Sequence, residues 1–320
     1  MKIRMLGLLF AVSFLILGFS ATVGAASFPT KPITILTSSA PGGSTDLTSR
    51  MLAKRAAEIL GQPVVVEPKV GGGGFIQGSA LATAKPDGYL VGILFTSGFN
   101  MAPFLRKPPY DIFKNTPIMS YGMFPFEFSV RQDSPWKTFK DFIEYAKAHP
   151  NQATVTTSKP DSMENLPIWM LEEKLGFKVK LVPTESVQGV AAVLGGHAMA
   201  FTGVGTSIPQ IREGTMRGLA TYLAERMPDL PDIPTLREMG YDIVVESRLC
   251  IYGPPGVPND VVKILEDAFH KAMDDNDFKK ICKNFGIIPS FLGSVEMDKA
   301  HRDLAAKTKP ILEKLGMIKD

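Results

Sequence analysis

Apolar and polar residues follow two repeating patterns along most of the chain. Short apolar runs at residues 32–37, 64–66 and 90–95 predict buried strands. Residues 47–60 carry apolar side chains three and four positions apart and are followed by Gly61, which predicts a helix that ends at this glycine. Strand and helix therefore alternate, and this order predicts a parallel sheet with covering helices.

The same alternation begins again at residue 126. Apolar runs at 126–131, 154–157, 178–182, 198–202 and 217–222 predict strands, and residues 138–149, 165–175 and 187–194 predict the helices between them. A long amphipathic helix after residue 258 and a helical C-terminus complete the chain. Two α/β units predict two lobes with a ligand cleft at the strand ends.

The first residues have the pattern of an export signal. Lys2 and Arg4 precede an almost wholly apolar run over residues 5–19, and small residues follow at 20–27. We expect a signal peptide over residues 1–26, cleaved near Ala25 or Ala26, because the apolar run is short for a membrane span. A retained anchor is the alternative.

Composition and charge exclude several classes of protein. The chain is 45% hydrophobic and 21% charged, which is typical of a globular protein rather than a disordered one. Loss of Lys2 and Arg4 with the signal lowers the formal charge from +3 to about +1. A nearly neutral chain has no electrostatic basis for general binding of nucleic acid.

The residues offer little for catalysis. The four histidines are scattered, and His149, His270 and His301 are expected on solvated helical faces. No nucleophile elbow, phosphate-binding motif or metal-ligand spacing is present in the sequence, so we expect no enzyme activity, metal or cofactor. The two cysteines, Cys250 and Cys282, are interpreted as buried thiols, with one disulfide as the alternative.

Two glycine-rich loops are candidates for binding an anion. Residues 38–46, SSAPGGSTD, join the first strand to the first helix, and Ser44 or Thr45 is expected to cap that helix. A helix N-terminus behind glycines attracts an anion, although a well-capped turn explains the loop equally. Residues 69–79, KVGGGGFIQGS, suggest close approach of a ligand to the backbone, with a flexible surface loop as the alternative.

The chain also resembles a known family. Residues 28–93, with APGGSTD, GQPVVVE and PDGY in this order, resemble the opening of the Bug receptors, the extracytoplasmic solute receptors of tripartite tricarboxylate transporters. Residues 181–200, 230–241 and 252–273 carry the resemblance further. It implies a two-lobed type II periplasmic binding protein, with lobe 1 at 27–125 and 250–320 and lobe 2 at 126–249.

The resemblance implies that two loops of lobe 1 hold a ligand carboxylate through backbone amides. The implied residues are Ser39, Ala40, Gly42, Gly43 and Asp46 in one loop, Gly73, Gly74 and Phe75 in the other, and Thr96 and Ser97 at a strand end. Phe75 is suited to stack on an aromatic ligand. Two roles stay open for Asp46, because it could fix its own loop or meet a donor on the ligand.

Lobe 2 departs from the family pattern. The corresponding site residues are Ser158, Ser162, Asn165, Thr184 and Gly203. Asp161 and Glu164 are added to a loop that is often rich in glycine and serine in the family, and Glu185 replaces a basic residue. Two extra acids near the cleft would repel a second carboxylate. The sequence therefore predicts that the ligand is a monocarboxylate whose other end is neutral, aromatic or cationic. The alternative is that these acidic side chains point away from the cleft.

The function that the resemblance implies is capture of a small organic carboxylate and its delivery to integral-membrane permease subunits. We expect a monomer in the periplasm that closes its two lobes on the ligand. A periplasmic sensor subunit and an enzyme on the same fold are the alternatives. The lack of a nucleophile–base pair in the sequence disfavours the enzyme.

Overall fold

The computed structural model describes residues 28–184 and 186–318. The predicted signal peptide and Glu185 lie outside these residues. Among the helices of the described ranges, none combines the length and apolar character that a membrane span needs. The same residues hold no group of three or more His, Cys, Asp or Glu side chains placed to bind a metal ion.

The described chain forms eleven strands and eleven α-helices. The strands are β1 Ile33–Thr37, β2 Val64–Pro68, β3 Leu90–Phe95, β4 Thr116–Phe124, β5 Phe126–Arg131, β6 Thr154–Thr157, β7 Lys180–Pro183, β8 Ala200–Val204, β9 Met216–Thr221, β10 Ser247–Gly253 and β11 Ile288–Gly293. The helices are α1 Ser44–Leu60, α2 Phe75–Ala82, α3 Ser97–Asn100, α4 Ala102–Leu105, α5 Phe139–Ala148, α6 Leu166–Leu175, α7 Ser186–Leu194, α8 Ile208–Arg212, α9 Asn259–Ala272, α10 Asn276–Asn284 and α11 Ser294–Lys314.

The first sheet has six strands in the order β11-β4-β10-β3-β1-β2. Strand β1 pairs in parallel with β2 and β3, while β10 runs antiparallel to both β3 and β4. Ile33, Ile35 and Leu36 are buried, as expected for a central strand covered on both faces. Helix α1 buries Leu52 and Ala56 and ends, as predicted, at Gly61.

The second sheet has five strands in the order β7-β6-β8-β5-β9. Strand β5 is antiparallel to β8 and β9, and β6 is parallel to β7 and β8. Helix α5 covers this sheet with Phe142 and Ile143, and it begins at a capping box between Thr138 and Asp141. The amphipathic helix predicted over 138–149 is therefore confirmed.

The α/β class, with two sheets and covering helices, is confirmed, but the predicted parallel pairing is only partly right. Strands β4, β5, β10 and β11 run antiparallel to neighbours, so both sheets are mixed. The pattern analysis did not predict β4 or β11. Pro117 and Gly122 interrupt the apolar pattern of β4, and Pro289 and Ser290 interrupt that of β11.

The chain passes from the first sheet to the second at Pro125 and returns before β10. The lobe boundary predicted between residues 249 and 250 falls inside β10, although all of β10 belongs to the first sheet. Helix α11 contributes Ile311 and Leu312 to the core beside the second sheet. The fold is two-lobed, as predicted, while the residue bounds of the lobes stay a prediction; the sheets suggest a second boundary near residue 246.

Both cysteine thiols are free and buried, which confirms the interpretation as buried thiols. Cys250 lies in an apolar cluster with Phe99 and Tyr252, whereas Cys282 lies in another with Phe269. Burial raises the pKa of each thiol to about 12, so both are protonated at neutral pH.

His301 is buried, so the expectation of a solvated ring was wrong. Its Nδ1 lies 2.7 Å from the hydroxyl oxygen of Tyr252, and its ring stacks on Phe99 with 4.7 Å between centroids. Burial, with a smaller contribution from Arg248, lowers the pKa of His301 to about 4. The ring is therefore neutral over the physiological range.

Glu127 is a fully buried acid in β5 of the second sheet. Its carboxylate accepts hydrogen bonds from the N–H of Gly205 at 2.7 Å and from the N–H and hydroxyl of Ser207 at 3.2 and 2.9 Å. Burial raises the pKa of Glu127 to about 7 despite these donors.

These two groups should make opposite contributions to the pH dependence of stability. Native Glu127 holds a proton that the unfolded chain releases between about pH 4.5 and 7, so its contribution falls as pH rises. Between about pH 6.5 and 4, His301 stays neutral in the folded protein but binds a proton in the unfolded chain. Its contribution to the free energy of unfolding therefore falls as pH drops. The two slopes oppose each other in the unsubstituted protein.

Substituting one of the two residues should leave the pH dependence that the other contributes to the free energy of unfolding. Urea unfolding from pH 4.5 to 7.5 measures it. We expect the free energy of unfolding of Glu127→Gln to rise with pH, and that of His301→Gln to fall with pH. Each change should be on the order of 1–3 kcal/mol across the window. If both variants keep the pH profile of the unsubstituted protein, the assigned protonation states are wrong.

Candidate functional site

A cavity of about 350 Å³ lies between the two sheets. The lining residues from the first-sheet side include Ser38, Gly74, Phe75, Gln77, Ser97, Arg106 and Tyr110. Those from the second-sheet side include Phe126, Ser158, Lys159, Asp161, Ser162, Glu164 and Val204. The cavity therefore lies at the carboxyl ends of β1, β3, β6 and β8, where open α/β sheets bind ligands.

The loop between β1 and α1 is held by a buried carboxylate. Asp46 is only 1% exposed, and its Oδ2 accepts the N–H of Gly42 at 3.0 Å. Both carboxylate oxygens also accept from Arg50, at 3.0 and 2.9 Å. Burial acts to raise the pKa of Asp46, but the Arg50 guanidinium and the Gly42 N–H together hold it below its ordinary value.

The first turn of α1 has no side-chain cap, so the expected capping by Ser44 or Thr45 was wrong. The N-cap residue is Gly43, which has no side chain that could accept a hydrogen bond from the first turn. Gly42 has φ of +82°, which brings the chain into the turn without strain. The first-turn N–H groups and the positive end of the helix dipole are thus left for another acceptor.

Of the predicted residues in this loop, none lies on the cavity surface. Ser39, Ala40, Gly42, Gly43 and Asp46 form the turn itself, whereas the neighbouring Ser38 lines the cavity. The sequence analysis did not single out Ser38, because nothing in the pattern distinguishes it from Ser39.

The run of glycines adopts backbone angles that other residues avoid. Gly71, Gly72 and Gly74 have φ of +133°, +57° and +96°, and a 3₁₀ turn at Gly72–Gly74 leads directly into α2. Gly74 lines the cavity and Gly73 lies in the same turn. The turn is therefore a defined structure that brings backbone to the cavity edge.

Two aromatic side chains form one wall of the cavity. Phe75 and Tyr110 meet edge to face with 6.5 Å between ring centroids. Tyr110 lies so close to Gly78 that a Cβ there would stand 1.8 Å from the phenol oxygen. Burial raises the pKa of Tyr110, so its hydroxyl is neutral and able to donate a hydrogen bond.

Gln77 ties α2 to the two strands beneath it. Its Nε2 donates to the backbone carbonyl of Leu36 in β1 at 3.1 Å and to that of Ile93 in β3 at 2.8 Å. Its Oε1 is buried and accepts no hydrogen bond from the described residues. Sequence reasoning missed Gln77, whose only signal was a polar side chain in an otherwise small and apolar segment.

The two residues predicted at the end of β3 face different cavities. Ser97 lines the cleft, but Thr96 lines a second cavity of about 220 Å³ together with His301 and Arg248. The Thr96 hydroxyl accepts the N–H of Arg248 at 2.9 Å. Thr96 therefore connects β3 to β10 rather than reaching the cleft.

The loop after β6 is fixed by its own polar side chains. Glu164 is 4% exposed and accepts from both the N–H and the hydroxyl of Ser158. The amide of Asn165 is fully buried and donates to the carbonyls of Lys159 and Pro160 at 2.8 and 3.2 Å. We expected Glu164 to repel a second carboxylate of the ligand. Instead, its carboxylate accepts hydrogen bonds from Ser158 and so fixes the shape of the loop.

The remaining predicted residues of lobe 2 are spread unevenly around the cleft. Ser158 and Ser162 line it, whereas Asn165, Thr184 and Gly203 do not. Gly203 lies inside the second sheet, where a Cβ would stand 2.1 Å from the ring of Phe201. Glu185 lies outside the described residues.

An ion pair joins the two sides of the cleft. Arg106 follows α4 on the first-sheet side, and its Nη2 lies 3.1 Å from Oδ2 of Asp161, between β6 and α6. The two side chains are 50% and 35% exposed, so the pair lies at the rim. Sequence reasoning missed Arg106 and Tyr110 because residues 97–115 carry no regular pattern.

Comparison with known proteins is consistent with this geometry. Residues 48–317 match the family model described as tripartite tricarboxylate transporter family receptor. The chain is 34% identical over 303 residues to the UPF0065 protein in the gbd 5'region of Cupriavidus necator, which covers 93% of this chain and 92% of that protein.

Solved structures share the fold. A TctC solute-binding protein from Polaromonas superposes with a TM-score of 0.86 at 24% identity, over 90% of this chain and 100% of that one. The periplasmic binding protein BugD gives a TM-score of 0.65 at 27% identity, over 92% and 100%. The family match, the relative and the shared architecture together show that this chain belongs to the tripartite tricarboxylate transporter receptor family, whose members bind solutes and are not enzymes.

Proposed function

We propose that this chain is a periplasmic receptor that captures a small carboxylate in the cleft and delivers it to the permease subunits of a tripartite tricarboxylate-type transporter. The observation that carries the proposal is the cavity between the sheets, bordered by glycine-rich backbone and by hydroxyl groups on both sides. The apolar run at the N-terminus supports export.

In the proposed complex, one carboxylate lies against the loops of the first sheet. Its acceptor oxygens would meet backbone N–H groups at Gly74 and Phe75, together with the hydroxyls of Ser38 and Ser97, all of which line the cavity. Residues 39–46 would support this site from behind. The uncapped first turn of α1 supports this placement because its N–H groups and dipole favour an anion.

The rest of the ligand would lie between the aromatic wall and the second sheet. Phe75 and Tyr110 offer apolar ring surface, and Ser158 and Ser162 offer hydroxyls opposite. Thr96, Asn165, Thr184 and Gly203 do not line the cavity, and in this proposal they support it from behind.

Two proteins of the same fold support the carboxylate class. Both come from Rhodopseudomonas palustris, are 24% identical to this chain and were solved with bound malate and with adipate, at TM-scores of 0.64 and 0.68. Binding through backbone amides is compatible with such different acids because the amides recognise the carboxylate and not the chain attached to it.

The proposal predicts that acids stabilise the purified receptor and that their neutral amides do not. Benzoate and hexanoate should each raise the melting temperature, because ligand that binds only the folded state stabilises it by about 2.7 kcal/mol at 100 times the dissociation constant. Benzamide and hexanamide have nearly the same shape but lack the charge, and they should have no effect. Differential scanning fluorimetry, confirmed by calorimetry, measures both.

Adipate, malate and nicotinate extend the same screen. A receptor that no acid of this panel stabilises, or that the amides stabilise as strongly as the acids, would contradict carboxylate recognition.

A second prediction concerns the role of Asp46. Because its carboxylate holds the Gly42 N–H and Arg50, Asp46→Asn should lower the stability of the ligand-free receptor by about 1–2 kcal/mol. The loosened loop should also weaken benzoate binding several-fold, since fewer amides would be fixed in place. Melting temperature without ligand and the dissociation constant are the two readouts.

Glu58→Gln is the matched control, because Glu58 pairs with Arg55 on the same helix at an exposed position. Exposed pairs contribute little, so this variant should keep both properties. Weakened binding by Asp46→Asn with unchanged stability of the ligand-free receptor would instead place Asp46 in contact with the ligand.

A further inference from the structure

We propose that the ion pair between Arg106 and Asp161 selects monocarboxylates over dicarboxylates. This inference rests on the proposed function, since it concerns the far end of the same ligand. Asp161 pairs with Arg106, the one arginine among the described residues that line the cavity, so a second carboxylate finds this guanidinium already occupied.

The backbone on both sides of Arg106 fixes its position. It directly follows α4, and its N–H donates to the carbonyl of Ala102 at 3.0 Å. Lys107 then takes φ of +43°, which is unusual for a residue with a side chain, and Pro108 and Pro109 stiffen the next residues. The backbone therefore fixes where the guanidinium reaches over the cleft.

Hydrogen bonds within the loop that carries Asp161 hold it in one conformation. Ser162 donates through its hydroxyl to the carbonyl of Lys159 at 2.7 Å, and Asn165 donates to the same carbonyl. Asp161 lies between these anchored positions. The carboxylate is held opposite Arg106 whenever the two sides of the cleft stand as they do here.

Positive and negative side chains balance on the cavity wall. Among the described residues, four charged side chains line it: Arg106 and Lys159 are positive, and Asp161 and Glu164 are negative. Glu164 belongs to the same loop as Lys159 and accepts a hydrogen bond from the N–H of Ser158. A ligand with one carboxylate meets a wall of zero formal charge, and a second carboxylate meets no excess of positive charge.

A dicarboxylate would therefore have to displace Asp161 from Arg106. Because that exchange replaces one carboxylate on the guanidinium by another, Arg106 adds almost nothing to the binding free energy of the dicarboxylate. The released carboxylate of Asp161 also repels the ligand. Removal of the Asp161 charge turns Arg106 into a free anchor that can bind a carboxylate through two parallel hydrogen bonds.

The test compares pairs of acids with the same carbon skeleton: hexanoate with adipate, butanoate with succinate, and benzoate with terephthalate. For each pair, calorimetry gives the ratio of the dicarboxylate to the monocarboxylate dissociation constant. We expect the unsubstituted receptor to bind the monocarboxylate more tightly. In Asp161→Asn the ratio should fall about two- to fivefold, the range expected for a partly exposed ion pair.

Three variants serve as controls. Asp161→Glu keeps the charge and should keep the ratio. Asp133→Asn removes an exposed acid that pairs with Arg131 in the second sheet, away from the cavity lining, and should change nothing. The double variant Arg106→Gln/Asp161→Asn lacks the freed cation, so it should lose the gain in dicarboxylate binding.

Several outcomes would overturn the inference while carboxylate recognition stands. One is that Asp161→Asn weakens the binding of both acids of each pair by the same factor, which would mean that the ion pair holds the two sides of the cleft together without selecting the ligand. Others are a preference of the unsubstituted receptor for dicarboxylates, or loss of monocarboxylate binding in Arg106→Gln alone. If no acid binds any variant, the proposed function falls as well.

Discussion

The buried amide of Gln77 is the interaction on which the first side of the cleft depends. Through its two hydrogen bonds it holds α2 against the carboxyl ends of both β1 and β3. Ser38 follows β1, Ser97 follows β3, and the glycine turn at Gly72–Gly74 leads into α2. One side chain thus sets the relative positions of three segments that border the cavity. Gly92 makes room for it, because a Cβ there would stand 3.0 Å from Nε2.

The second side of the cleft uses polar side chains in a similar way. Glu164 and Asn165 turn their polar groups back onto the loop that carries them, and Asp46 does the same in the first lobe. In each case a charged or amide group that looks like a ligand contact in the sequence satisfies backbone donors or acceptors instead. A buried backbone group without a partner is costly, so these bonds stabilise the loops before any ligand arrives.

The sequence predicts most of this fold because its strands and helices have regular apolar spacing. β3, β5 and β6 lie at their predicted residues, whereas β4 and β11 were missed because proline and glycine interrupt their patterns. The burial of His301 could have been predicted, since Met297, His301 and Ala305 are spaced by four and share the buried face of α11. Gln77 and Arg106 could not, because their roles depend on which distant strands and loops the fold brings beside them.

The balance of charges in the cleft explains why its backbone carries so much of the proposed recognition. Arg106 faces Asp161, and Lys159 shares its loop with Glu164, so the side chains present no excess of positive charge to a ligand. Attraction of an anion then falls to N–H groups and a helix dipole, which depend on backbone shape and hardly on residue type. Such a site tolerates many side-chain substitutions as long as the glycines keep their positive φ angles. The rim is then the place where single side chains decide what the rest of the ligand meets.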